Sequence, residues 1–128
     1  MNDKIKTIIY LCEYLPRFSC GIFILPEERD AIYDFFRKLN LRLSPKGLML
    51  TKTEGQIHFW NGSRIQIIQT SSSARGKKFN KIIITNKIKN DEKIIYEISC
   101  CYIPYHVQTK IDYIDIFVGD KNEKSRDT

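Results

Sequence analysis

The sequence predicts an α/β protein, a single three-layer sandwich with a mainly parallel central sheet to which a β-hairpin is added. Three observations carry that expectation. Segments with apolar residues at helical spacing alternate with short, wholly apolar runs, as when helices cross between buried parallel strands. One pair of runs is instead joined by Asn61-Gly62, a tight-turn signal that makes its flanking strands antiparallel. The chain has 128 residues, 42% of them hydrophobic, which is enough to bury one core without disulfides or metals.

Each element has its own signal. Ile5, Ile8, Ile9, Cys12 and Leu15 recur at helical spacing, so residues 3 to 15 form an amphipathic helix that Pro16 stops. SCGIFIL follows as a short buried strand. Pro26 opens a second helix with Glu27, Glu28 and Asp30 in its first turns and Arg37 and Lys38 in its last, the arrangement the helix dipole favours. Its core face is Ala31, Ile32, Phe35, Phe36 and Leu39. Residues 40 to 47 read as a loop. LMLTKT, QIHFW and SRIQIIQT then read as three strands, divided by Glu54-Gly55 and by Asn61-Gly62, the latter as a type I′ hairpin turn. After the loop SSSARGKK comes the strand KIIIT. Ile94, Ile95, Ile98, Cys101 and Tyr102 mark a third helix that ends before Pro104, and YIDIFVG is the last strand. Residues 1 to 120 are expected as one domain and 121 to 128 as a loose polar tail.

Charge and cysteine usage narrow the function classes. Twenty-one Lys and Arg against fifteen Asp and Glu give a net charge of +6, which favours a polyanionic partner such as nucleic acid through counterion release, or else only keeps the protein soluble. No apolar run approaches the roughly 20 residues of a membrane span, and no signal-peptide pattern opens the chain. An intracellular protein with no membrane partner is expected. Cys12, Cys20, Cys100 and Cys101 contain no C-x-x-C pair, and buried reduced thiols outweigh a zinc site built from Cys101 and His106. No metal is expected.

Catalytic constellations are equally thin. His58 lies inside a strand and His106 just past a helix, neither beside a Cys or Ser nucleophile. A metal-dependent nuclease requires converging carboxylates, for which Asp112, Asp115 and Asp120 are the remote candidates.

The loop 71 to 81 is the most informative surface. Arg75, Lys77, Lys78 and Lys81 place four cations within seven positions, while three serines and Gly76 offer hydroxyl and backbone donors to phosphate oxygens. Phe59 and Trp60 alternate across their strand, so one faces outward and can stack on a base or a partner side chain. Against this stands a solvated connecting loop, with Trp60 capping the core.

Taken together, QIHFWNGSRIQIIQTSSSARGKKFNKIIITN resembles the ATPase domain of phage terminase large subunits, the motors that package viral DNA. Asn61, Gly62, Ser63 and Ile65 match that family's hairpin, Arg75, Gly76 and Phe79 its R-G-x-x-F, and the strand 82 to 84 its Walker B strand. The resemblance implies a truncated P-loop ATPase core. Two departures bear on chemistry: no G-x-x-x-x-G-K-[ST] occurs, and the Walker B positions hold Thr85 and Asn86, neither of which activates water as a carboxylate does. ATP hydrolysis is therefore not expected, and no cofactor is assigned. What the resemblance implies is a non-catalytic viral or prophage accessory protein of the host cytoplasm or nucleoid. It would bind nucleic acid or a nucleoprotein complex through Arg75, Lys77, Lys78, Lys81 and Trp60. The alternative is a protein-binding regulator or inhibitor of a packaging, replication or host-defence complex.

Overall fold

The computed structural model describes residues 3–70, 78–88, 91–99 and 111–116. In chain order its elements are α1 (Asp3–Tyr14), β1 (Ser19–Ile24), a 3₁₀ turn (Pro26–Glu28), α2 (Arg29–Arg37), β2 (Leu43–Leu50), β3 (Glu54–Phe59), β4 (Arg64–Gln69), β5 (Lys81–Thr85), α3 (Glu92–Ser99) and β6 (Ile111–Ile114). The strands form one six-stranded sheet in the order β2-β3-β4-β1-β5-β6. β4, β1, β5 and β6 are mutually parallel, and β3 and β2 extend them as antiparallel neighbours, so the sheet is mixed.

Helices cover both faces. α1 and α2 lie on one side, where Ile5, Ile8, Ile9 and Cys12 of α1 and Ile32, Tyr33 and Phe36 of α2 meet Ile22, Ile24, Ile65, Ile67 and Ile83 of the sheet. The other face carries Phe23, Ile68, Ile82 and Ile84, closed by Phe79, Ile88 and Ile98 of α3. Burial on both faces explains why β1 and β5 read as unbroken apolar runs, whereas β3, with half-buried Gln56 and His58 between buried Gly55, Ile57 and Phe59, alternates. Gly21 has a packing role: a Cβ there would stand 2.7 Å from the Phe79 ring, which lies across β1 and meets Phe23 edge-on at 6.2 Å between centroids.

Three expectations are corrected. The stretch read as a loop over 40 to 47 is strand from Leu43 onward, because β2 is an edge strand whose register shifts between Leu43 and Leu48; that irregularity absorbs Pro45 and the left-handed Gly47 (φ 54°). Glu54-Gly55 does not divide strands but starts β3, and Gly55 is needed where the Tyr33 ring presses on the backbone. The hairpin turn is not type I′, since Gly62 (φ 89°) has positive φ and Asn61 does not. With Gly62 N–H bonded to Phe59 O at 3.1 Å, it has the form of a type I turn closed by a left-handed glycine. The third helix is described from Glu92 to Ser99; Cys101 and Tyr102, and the tail 121 to 128, lie outside the described residues.

Candidate nucleic-acid interface

The four parallel strands begin at one end of the sheet, here the amino end, and polar side chains tie it together. Asn61 keeps negative φ because its side chain is used elsewhere: Nδ2 donates to Cys12 O (2.8 Å) and Leu15 O (3.2 Å), capping the last turn of α1, and Oδ1 accepts from Ser63 N (3.1 Å). Ser63, fully buried, accepts from Phe18 N (2.9 Å) and donates its hydroxyl to Leu15 O. Asn80, just before β5, accepts from Ser19 N (2.9 Å) and donates its own N–H to Ser19 O (2.9 Å). Three distant stretches of chain are thereby fixed to one another.

This clasp determines what faces solvent. The turn that buries Phe59 throws Trp60 outward, 62% exposed, with its N–H on Arg42 O (3.3 Å). Arg17, held in a left-handed conformation (φ 57°), donates its N–H to Asn61 O (3.4 Å) and lays its side chain beside Gly62. Arg17, Arg42 and Lys78 are all exposed, and Lys78 stands two residues before Asn80. From the start of β4 to the start of β5 is two strand spacings, about 10 Å. That is about three phosphates of a stacked strand, at a rise of about 3.4 Å each. His58 on β3 has its pKa lowered from the usual 6.5, by burial first and then by the charges of Lys46 and Arg64.

The sequence-predicted residues distribute unevenly over this site. Trp60 and Lys78 lie on it. Lys81 is at the same end but points to the face of Ile83, where its ammonium meets Asp112 at 2.7 Å. Arg75 and Lys77 lie outside the described residues. Sequence reasoning missed Arg17 and Arg42, which belong to segments remote from Trp60 and carry no local signal; only the fold brings them there.

At the opposite end, Thr85 closes β5, fully buried, and Asn86 donates Nδ2 to Asp115 at 2.6 Å. Asp112 and Asp115 stand at opposite ends of β6, about 10 Å apart along the strand, and do not converge; Asp120 lies outside the described residues. Among the described residues no three His, Cys, Asp or Glu side chains gather as metal ligands. Burial pushes the Cys12 thiol up to about 12, with Glu13 adding to the effect, and pushes Cys20 up as well, so neither is a ready nucleophile. Cys100, Cys101 and His106 lie outside the described residues, and no described helix is long and apolar enough to cross a membrane.

Comparison with family models, with curated proteins and with solved structures gives no match for this chain.

Proposed function

We propose that this chain is a non-catalytic protein that binds nucleic acid, or a nucleoprotein, through the amino end of its sheet. The observation that carries the reading is the grouping of exposed Trp60 with Arg17, Arg42 and Lys78 on a surface fixed by the Asn61, Ser63 and Asn80 bonds. Cations placed on rigid strand starts neutralise backbone phosphates without paying much ordering entropy, and an aromatic ring among them accepts any base by stacking. Arg75 and Lys77, in the segment leading to Lys78, would add to the same phosphate track. An accessory role in a virus or prophage, on the remnant of a terminase-like ATPase, is what the sequence resemblance adds; the absence of a Walker A motif and of an acid at Thr85 and Asn86 supports a role without ATP hydrolysis.

Trp60 is the single tryptophan of the chain, so its own fluorescence reports on the proposed surface. Titration with a short single-stranded DNA should quench it, with affinity falling steeply between low and physiological salt. Arg17→Glu with Lys78→Glu should flatten the salt slope by about one unit per lost phosphate contact. Unchanged Trp60 emission at both salt concentrations would remove this reading.

The alternative, a protein-binding regulator, has an observation of its own. Tyr10 and Tyr14 stand exposed on the outer side of α1, their rings stacked at 5.9 Å and 7°, with Leu15 next to them. A partner docked on these apolar rings would hold on in high salt and be lost in a Tyr10→Ala, Tyr14→Ala variant, whereas nucleic-acid binding at Trp60 would survive that change.

A further inference from the structure

The other end of the sheet carries a separate pair of buried polar side chains, Glu28 and Thr85. Adjacent parallel strands β1 and β5 send their connections to opposite faces: β1 leads into α2, which packs with Ile22 and Ile24, and β5 leads into α3, which packs with Ile82 and Ile84. Where two such connections part, a crevice opens at the carboxyl ends of the strands, and open α/β sheets bind their ligands there.

Two buried polar atoms lie at that end of the sheet and have no partner among the described residues. Ile24 gives its carbonyl to Thr70 N on the β4 side (2.9 Å), so the N–H of the next residue, Leu25, points toward β5, just as Ser19 O points to Asn80 there. Thr85 O, which the β1–β5 ladder would offer to that N–H, is taken by Ile88 N at 3.0 Å. Glu28 fills the gap: its Oε1 accepts from Leu25 N at 2.9 Å, which fixes its carboxylate on the β5 side of β1. Glu28 is fully buried and its Oε2 makes no hydrogen bond. Thr85 lies on the same face as Ile83, level with Ile24 at a strand spacing of about 4.8 Å, and its buried hydroxyl also makes none.

We propose that the crevice between the carboxyl ends of β1 and β5 binds the primary ammonium group of a small amine, with Glu28 Oε2 as its counter-ion and Thr85 Oγ1 as a second acceptor. A buried carboxylate oxygen without a donor is costly, and a hydroxyl at the end of the neighbouring strand offers a second lone pair; a compact cation with several N–H donors would satisfy both. An anion is disfavoured by Glu28 itself. One carboxylate oxygen and one hydroxyl are too few ligands to strip and hold a divalent cation. The site stands at the far end of the sheet from Trp60, so it and the nucleic-acid surface fail or succeed separately.

The test is an NMR titration of the isotope-labelled full chain with putrescine, set against tetramethylammonium, a cation without N–H donors, at matched ionic strength. Saturable shifts of the Leu25, Glu28, Thr85 and Asn86 amides are expected with putrescine alone. Glu28→Gln should abolish them, and Thr85→Val should weaken binding about tenfold, as loss of one hydrogen bond to a charged group does. If Glu28→Gln fails to fold, the Thr85→Val titration decides. Equal shifts with both cations, affinity unchanged by Thr85→Val, or no shift at all would overturn the proposal, the last outcome leaving a buried water as the occupant.

Discussion

At the amino end of the sheet, Asn61, Ser63, Ser19 and Asn80 exchange hydrogen bonds among three stretches of chain, while at the carboxyl end Glu28 and Thr85 each bury an oxygen that has no partner among the described residues. Both ends are polar, and both are placed by the same strands. The difference lies in the accounting of donors and acceptors. A saturated end is rigid and presents its side chains outward, which suits a surface for a large, repetitive partner. An unsaturated end is held in reserve for something small that completes it.

The comparison can be broken at its common support. Phe79 lies over Gly21 as the chain returns from the carboxyl end of β4 to the amino end of β5. Phe79→Ala should cost about 3–5 kcal/mol by leaving a cavity against Phe23, and chemical denaturation should show both ends losing order together. Retention of full stability would mean that the crossing is held by something else.

Sharper tests act on one end at a time and differ in sign. Ser63→Ala strands the Phe18 N–H, while Leu15 O keeps its bond from Asn61, and should destabilise the protein by about 1–3 kcal/mol, the cost of one buried unpaired group. Thr85→Val, by contrast, exchanges an unpaired hydroxyl for a methyl group of similar shape. In the absence of any ligand it should leave stability unchanged or raise it by about 1 kcal/mol. Two urea melts decide the matter, and a loss at Thr85 comparable with that at Ser63 would erase the distinction drawn here.

The smallest effect concerns His58. Its pKa in the folded protein lies below the ordinary 6.5, through burial first and then the charges of Lys46 and Arg64. A lowered folded pKa means that the unfolded chain takes up the proton first as pH falls, so the contribution is complete above about pH 6.5 and is lost below it. Melting temperatures compared at pH 7.5 and pH 5.5 should show part of the acid-side loss disappear in His58→Gln; an identical pH profile in that variant would show that folding does not lower the titration of the ring.

Much of the fold was legible because it rests on period and punctuation. The spacing of Ile5, Ile8, Ile9 and Cys12 and the break at Pro16 gave α1 nearly to the residue, and the charges of Glu27, Glu28, Arg37 and Lys38 bracketed the second helix although its first turn is 3₁₀. β2 was cut short because an edge strand with a bulge needs neither alternation nor freedom from proline. The turn type was misread for a different reason: Asn61 follows the demands of α1, which lie 46 and 49 residues away in sequence. The sites depend still more on such distant pairing. Alternation said that one of Phe59 and Trp60 faces outward without saying which, and Arg17 and Arg42 near Trp60, Asp112 on Lys81, and Glu28 and Thr85 at one end of the sheet all require the register of the strands.

The central place of β1 also governs how the chain is made. Its two neighbours begin at Arg64 and Lys81, so this strand, apolar on both faces, has no partner until more than half of the chain has been synthesised. Sequence-distant parallel pairing is slow, and an apolar strand waiting with both edges open invites association with other chains. A fragment ending before Lys81 would leave one of those edges bare, and its fate should be aggregation rather than a smaller folded protein.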